Sequence, residues 1–188
     1  MNPATLGQRL YYAYLCDPKI PLVVVTGPAG TGKTMLASKV GSLHVSTGRY
    51  DSMVVTRPAV GNPHGFLPGT IEAKMRPWIR PISDHLMTKR VETIPLAYMR
   101  GLTFDNAFII ADEMQNSTQE QMKMLLTRIG KNSKLVITGD PNQTDIHEPN
   151  GFEDLLKRLP IDDLWKIVHL TEDDVQRSEL VKRILGVY

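Results

Sequence analysis

Eight consecutive residues near the start of the chain have the types and spacing needed to bind a polyphosphate. They are Gly27-Pro28-Ala29-Gly30-Thr31-Gly32-Lys33-Thr34, and they fit G-x-x-x-x-G-K-[ST] at every position. The glycines permit a tight turn in which successive backbone N–H groups point inward at phosphate oxygens. Lys33 supplies a cation for the β- and γ-phosphates, and the Thr34 hydroxyl is a ligand for Mg²⁺. The stretch therefore predicts a P-loop that binds a polyphosphate together with Mg²⁺.

The segments on either side of this stretch have the patterns that a P-loop requires. Residues 20–26 form a short β-branched run, typical of a buried parallel strand. Residues 35–40 continue into a helix, whose positive N-terminal dipole would face the phosphates. The alternative is a glycine-rich turn between two elements, and the strand, motif and helix in register argue against it.

Two carboxylates follow a second apolar run. Residues 107–111 predict a buried strand, and Asp112 and Glu113 come directly after it. Downstream of a P-loop this is the Walker B pattern, in which the aspartate holds the Mg²⁺ shell and the glutamate orients and deprotonates the attacking water. Two adjacent acids can instead begin a helix. Together with the P-loop they favour a catalytic pair.

Two further predicted strands end in polar residues. The strand at 134–138 precedes Asp140 and Gln143, and the strand at 51–56 precedes Arg57. Gln143 could sense the γ-phosphate or position water, or it could be only a turn amide. Arg57 falls at the carboxyl end of a strand, where ligands bind in open α/β sheets.

Residues 61–100 predict irregular structure, because glycine and proline interrupt them repeatedly. The segment from 70 to 100 carries basic side chains interleaved with Trp78 and Tyr98. Basic side chains with aromatic platforms suit a single-stranded nucleic acid. A solvated basic face, with Trp78 in the core, is the alternative, and composition alone favours it.

The remaining patterns predict helices and one more strand. A helix within 1–19 would bury Leu6, Leu10, Tyr14 and Leu15 and end at Pro18, with Gln8 either solvated or at an adenine edge. A capping box at Ser117-Thr118-Gln119-Glu120 would begin the next helix, which has one apolar face. Helices at 151–159 and 172–186 and a strand at 165–170 complete the prediction, with Arg177 near the start of the last helix.

Composition sets limits on the class of protein. The chain has 188 residues, so we expect one domain, 1–188. Its net charge is +2, so we expect no strong overall electrostatic attraction to nucleic acid. A single cysteine, Cys16, excludes an internal disulfide and fits a reducing compartment. There is no membrane-spanning apolar run and no signal-peptide core. We therefore expect a cytoplasmic protein without a membrane partner.

Several groups of residues, taken together and in order, are similar to a known family over nearly the whole chain. They include the P-loop, Arg57-Pro58, Gly65-Phe66-Leu67-Pro68-Gly69, Pro95-Leu96-Ala97-Tyr98-Met99-Arg100-Gly101, Asp112-Glu113-Met114-Gln115-Asn116, Leu126-Thr127-Arg128-Ile129-Gly130 and Thr138-Gly139-Asp140 with Gln143. These resemble the PhoH-like ATPases, named for phosphate-starvation induction. The stretch between Pro58 and Gly65 is shorter than we expect for that family, which leaves the role of residues 60–64 open.

The family is similar to the first motor domain of superfamily 1 helicases, and this likeness implies further roles. Gln8 matches a glutamine that contacts adenine, and Arg57 falls on a motif that touches nucleic acid. Asp140 and Gln143 match the motif that couples the γ-phosphate to the bound strand. Arg177, within Val175-Gln176-Arg177-Ser178, looks like an arginine that reaches the γ-phosphate. Neither a second motor domain nor a nuclease (PIN) domain is expected, so nuclease activity is not implied.

The sequence thus predicts a three-layer α/β P-loop NTPase with a RecA-like, mainly parallel sheet. In that sheet the strand ending at Thr138 lies between the P-loop strand and the strand before Asp112. We expect Mg²⁺-dependent ATP hydrolysis coupled to single-stranded RNA or DNA, with RNA favoured. The alternative is an ATP-regulated binding or assembly module with little turnover. A small-molecule kinase fits the residues after the strands less well.

The resemblance also implies a homo-oligomeric ring, six subunits being the number it suggests. A single RecA-like domain leaves its γ-phosphate open on one side, and a neighbouring copy can close it. Arg177 would then act across the subunit boundary. The alternatives are that Arg177 folds back onto its own site, or that Arg128 supplies the cation.

Overall fold

Among the residues that the structure describes, six parallel strands form one sheet. The structure is a computed structural model, and it describes residues 3–58, 90–146 and 149–176. The strands are β1 (Leu22–Thr26), β2 (Ser52–Thr56), β3 (Val91–Thr93), β4 (Ala107–Ala111), β5 (Lys134–Gly139) and β6 (Trp165–His169). Their order is β3-β2-β4-β5-β1-β6, with every pairing parallel. β5 lies between β1 and β4, as predicted.

Helices cover both faces of this sheet. They are α1 (Leu6–Cys16), α2 (Lys33–Ser46), α3 (Gln119–Leu126) and α4 (Gly151–Arg158). Alternate residues of each strand point to opposite faces, so Val23 and Val25 pack with α1 and α2, whereas Val24 packs with α3 and α4. Strands covered on both faces are apolar throughout, which explains the fully buried runs of β1 and β4. The three-layer α/β prediction is confirmed.

The buried face of α1 differs from the predicted one. Tyr11 and Leu15 are completely buried, whereas Leu6 and Leu10 are 83% and 45% exposed. Thr5 caps the helix by accepting a hydrogen bond from the Gln8 N–H. The helix is turned so that Gln8, Tyr11 and Leu15 face inward, and Gln8 is only 2% exposed. The prediction that Leu6 and Leu10 form the core face, and that Gln8 is a solvated residue, was wrong.

Two other elements depart from the sequence prediction. Val91–Thr93, in a region expected to be irregular, pairs with β2 as an edge strand. The capping box of α3 lies one residue later than predicted, on Thr118 and Gln121. Ser117, the expected cap, instead donates its hydroxyl hydrogen to the Met114 carbonyl.

The last predicted helix, 172–186, can be followed only at its start. The described part is a single 3₁₀ turn, Glu172–Asp174, after which Val175 is extended. Residues 177–186 lie outside the described residues, as does Trp78. No helix in the described ranges is both long enough and apolar enough to cross a membrane.

A buried lysine joins the start of β5 to the end of α1. Lys134 begins β5 and is 1% exposed. Its Nζ donates to the carbonyls of Tyr14 and Asp17, at 2.7 and 2.8 Å. These carbonyls lie in the last turn of α1 and just beyond it, where a helix lacks its own donors. Burial lowers the pKa of Lys134 from 10.5 to about 8, although Asp17 opposes the change.

We predict that Lys134 makes stability rise with pH in the alkaline range. Since its pKa is about 8 in the folded chain and 10.5 in the unfolded one, the unfolded chain binds more protons between these values. Raising the pH through this window therefore favours the folded state, by at most about 3 kcal/mol. The measurement is the free energy of urea unfolding of the wild type minus that of Lys134→Met, at several pH values. Lys157→Met, on the surface of α4, is the control. An unchanged pH slope in Lys134→Met would contradict the assignment.

Candidate nucleotide-binding site

The P-loop residues connect β1 to α2 in a backbone path that requires glycine. Gly27, Gly30 and Gly32 have φ values of +151°, +88° and +84°. A Cβ atom on Gly27 would lie 2.4 Å from the carbonyl oxygen of Leu170. Gly32 is the N-cap of α2 and has no side chain to accept from the first-turn N–H groups. Those N–H groups and the helix dipole make this end of α2 suitable for an anion.

Lys33 lies at the first position of α2 and turns back over the loop. Its Nζ donates to the carbonyls of Gly27 and Pro28, at 2.5 and 2.9 Å. Burial lowers the pKa of Lys33, while Asp140, Glu113 and Asp112 act in the opposite direction. The ammonium group is thus held inside the P-loop among the carboxylates that follow β4 and β5.

Asp112 brings the P-loop helix and two strands together. The Thr34 hydroxyl donates to Asp112 Oδ1 at 2.6 Å, and the Thr138 hydroxyl donates to the same oxygen at 2.5 Å. Asp112 is buried, and its carboxylate lies at the carboxyl edge of the sheet. A hydroxyl and a carboxylate oxygen are the hard ligands that Mg²⁺ prefers. Thr34 and Asp112 therefore fit a shared magnesium ion, and they are the residues that would hold it.

Glu113 leaves the sheet in a conformation that is unusual for a side chain of its size. Its φ of +55° and ψ of +38° are left-handed, and a 3₁₀ turn, Met114–Asn116, follows at once. Such a backbone costs on the order of 1 kcal/mol and is typically found at functional sites. The carboxylate has two partners: Arg57 Nη2 forms an ion pair with Oε1 at 3.0 Å, and Gln115 Nε2 donates a hydrogen bond to Oε2 at 2.6 Å.

Gln115 is a residue of this site to which sequence analysis assigned no role. It is 1% exposed, and besides binding Glu113 it accepts from the Asp140 N–H at 3.1 Å. Its Nε2 is also 3.4 Å from the Gln143 carbonyl. The amide therefore links the residues after β4 to those after β5. The sequence feature that could have indicated this role is the side-chain amide two positions after Glu113, where the chain must turn.

Gln143 lies in the turn that follows β5. Its Nε2 donates to Asp140 Oδ2 at 2.8 Å, and its backbone N–H donates to the Asp140 carbonyl. Asp140 is buried, whereas the side chain of Gln143 is exposed. Both residues lie at the same sheet edge as Asp112. A role of Gln143 toward a γ-phosphate stays a prediction.

Gln8 contacts the P-loop from α1. Its Nε2 donates to the carbonyls of Thr31 and Asp174, at 3.0 and 3.2 Å, and its Oε1 accepts from the Ala4 N–H. The side chain supports the loop through its backbone. The adenine contact implied by the resemblance stays a prediction.

Two predicted site residues, Trp78 and Arg177, lie outside the described residues. Arg128, the alternative to Arg177, makes local contacts at the end of α3. Its guanidinium donates to the carbonyls of Met124 and Leu102 and to the Thr127 hydroxyl. These bonds support the structural interpretation of Arg128.

Comparison with solved structures defines the class of fold. The chain is similar to the Pif1 helicase from Candida albicans, with a TM-score of 0.53 and 18% identity, over 99% of this chain and 43% of that one. It is also similar to the Hef helicase domain of Pyrococcus furiosus, with a TM-score of 0.50 and 16% identity, over 92% of this chain and 39% of that one. With the P-loop and the strand order, these likenesses define a P-loop NTPase fold of RecA-like type.

Sequence comparison then identifies the family. The model for "PhoH-like protein" matches residues 1–188, so the chain belongs to the PhoH family. It is 41% identical to the PhoH-like proteins of Mycobacterium tuberculosis strain H37Rv and Bacillus subtilis, covering 100% and 98% of this chain and 58% and 62% of theirs. It is 37% identical to Protein PhoH of Escherichia coli K12, over 96% of this chain and 56% of that one. The chain thus spans about three-fifths of the length of these relatives.

We predict that Gln115→Ala lowers the free energy of unfolding by about 1–3 kcal/mol, because it leaves the buried Asp140 N–H without its acceptor. Urea unfolding measures this loss. Gln119→Ala, at the exposed start of α3, removes the same amide and should change stability by no more than about 0.5 kcal/mol. Equal losses for the two variants would contradict a linking role for Gln115.

Proposed function

We propose that this chain binds ATP with Mg²⁺ and hydrolyses it, and that hydrolysis is coupled to single-stranded nucleic acid, RNA being favoured. The observation that carries the proposal is the position of Glu113. Its carboxylate follows directly on Asp112, which is hydrogen-bonded to Thr34 of the P-loop. A potential general base and a potential magnesium ligand thus lie beside a phosphate-binding loop.

The residues divide naturally between binding and chemistry. The backbone of residues 27–34 would bind the phosphates, with Lys33 as their cation and Gln8 near the adenine. Thr34 and Asp112 would hold Mg²⁺, which when bound neutralises charge on the β- and γ-phosphates. Glu113 would accept a proton from the attacking water. Gln143 and Asp140 would contact the γ-phosphate from the side of β5.

Coupling to nucleic acid is supported by the end of β2 and by the neighbours. Arg57 carries a guanidinium at the carboxyl edge of the sheet, and guanidinium groups bind phosphates well. The two solved structures compared above are a helicase and a helicase domain. Strands of RNA and DNA are therefore the first partners to test.

A second candidate is an ATP-regulated binding or assembly module that barely turns over. One observation favours it: both oxygens of the Glu113 carboxylate already have partners, Arg57 through an ion pair and Gln115 through a hydrogen bond. A base held in this way would act slowly unless something released it. Hydrolysis with and without a strand separates the two candidates.

We predict that Glu113→Gln retains ATP but slows hydrolysis by about 10²–10⁴, the usual contribution of a general base. Lys33→Ala should abolish nucleotide binding, because it removes the cation inside the P-loop. Steady-state ATPase assays, run alone and with single-stranded RNA, single-stranded DNA or duplex, measure the rate, and calorimetry measures the binding. Glu120→Gln, exposed on α3, is the charge-matched control. A Glu113→Gln variant that hydrolyses ATP at the parental rate would refute the assigned base.

We also predict a shared site in a homo-oligomeric ring, with Arg177 supplied by the neighbouring subunit. Such an arginine is worth about 10³–10⁵ in rate elsewhere. Arg177→Ala subunits and Lys33→Ala subunits should each be inactive alone and recover ATPase activity when mixed. Arg128→Ala mixed with Lys33→Ala serves as the comparison. A fully active monomer in dilute solution, measured by light scattering, would contradict the shared site.

A further inference from the structure

Arg57 makes an ion pair that joins the ends of two neighbouring strands. Its Nη2 is 3.0 Å from Glu113 Oε1 and 3.7 Å from Asp112 Oδ2. The other ion pairs in the described part of the chain are local, within α4 or beside β6. The Arg57 contact therefore connects the residue after β2 to the proposed general base after β4.

The two partners of Glu113 differ in how easily they can be withdrawn. Gln115 is 1% exposed and is also bonded to the Asp140 N–H, so it is fixed. The Arg57 side chain is 27% exposed, so solvent and solutes can reach it. Of the two, Arg57 is the partner that an incoming ligand can take away.

The Arg57 contact opposes the proposed role of Glu113. A general base must receive the proton of the attacking water on a carboxylate oxygen. While Arg57 lies at 3.0 Å from Oε1, receiving that proton would cost the ion pair. Release of Arg57 leaves Oε1 available, with Gln115 still holding the orientation of the carboxylate.

A guanidinium pairs with phosphate oxygens as readily as with a carboxylate, often through two parallel hydrogen bonds. We propose that Arg57 is an inhibitory contact on Glu113, and that the phosphodiester backbone of a single strand relieves the inhibition by binding the same guanidinium. This inference rests on the proposed function. It adds the means by which strand binding would control hydrolysis.

The proposal has a consequence that does not involve ATP. If Glu113 and a phosphodiester compete for Arg57, then weakening one contact must strengthen the other, because coupling between two sites is reciprocal. Removing the charge of Glu113 should tighten strand binding in the absence of nucleotide and metal. The gain should vanish when Arg57 is absent, because a double-mutant cycle isolates their interaction.

The first experiment measures this cycle by fluorescence anisotropy with labelled oligouridylate, in EDTA, without nucleotide, at low salt. Glu113→Gln should bind about fivefold more tightly than the wild type, or better. Glu113→Gln in an Arg57→Ala background should bind no more tightly than Arg57→Ala alone. Asp154→Asn and Arg158→Ala, the two halves of a surface ion pair on α4, remove the same charges as controls.

The outcomes of the cycle are decisive. A gain from Glu113→Gln that persists without Arg57 would be general electrostatics and would overturn the proposal. The same holds if Glu113→Gln binds like the wild type, or if the wild type binds no strand. Circular dichroism checks that each variant is folded, and Arg57→Gln replaces Arg57→Ala if that variant does not fold.

The second experiment measures ATP turnover with and without oligouridylate. Arg57→Ala should raise strand-free turnover about fivefold or more and should no longer be stimulated by the strand. If Arg57 instead binds the terminal phosphate of the nucleotide, Arg57→Ala will weaken ATP binding and lower strand-free turnover, which overturns the proposal. Stimulation of Arg57→Ala equal to that of the wild type also overturns it. A wild type without turnover under any condition refutes the proposed hydrolysis, whereas the binding cycle still tests the competition.

Discussion

The carboxylate of Asp112 is the group on which the rest of the site depends. Thr34 of α2 and Thr138 of β5 both donate to its Oδ1, and its own backbone N–H donates to the Thr56 carbonyl at the end of β2. A buried carboxylate without donors would be unfavourable by several kcal/mol, so these bonds are needed for the fold as well as for the site. Since they join three elements to β4, the P-loop helix and the strand ends cannot shift independently.

Two positive groups balance the acids around this point from opposite sides. Lys33 approaches from the P-loop, and Arg57 approaches from the end of β2. Between them, Glu113 adopts its left-handed backbone conformation, and Gln115 fixes the Glu113 carboxylate by donating to Oε2. The unfavourable backbone at Glu113 persists because the flanking contacts determine its position, as is usual for strained residues at functional sites.

Local patterns predicted most of the fold, and long-range contacts account for what they missed. The P-loop and the strands β1, β4 and β5 were predictable, because a continuous motif and fully buried apolar runs leave few alternatives. The face of α1 was not, since it depends on Gln8 reaching Thr31 and Asp174, which are distant in sequence. The strand β3 has only three residues, too few for a pattern to be recognised, so its pairing with β2 decides its conformation. The contact between Arg57 and Glu113 required knowing that β2 and β4 are neighbours.

The strand order also separates the two sides from which Glu113 can be influenced. Neighbouring strands lie about 4.8 Å apart, so the ends of β1 and β5 form one side of the site and the end of β2 forms the other. A nucleotide on Lys33 and Thr34 would act from the first side. Anything that engages Arg57 acts from the second, one strand away from the proposed base. On the proposal that Arg57 inhibits Glu113, two ligands would therefore affect the same carboxylate from opposite sides without overlapping, and the competition for Arg57 would couple them.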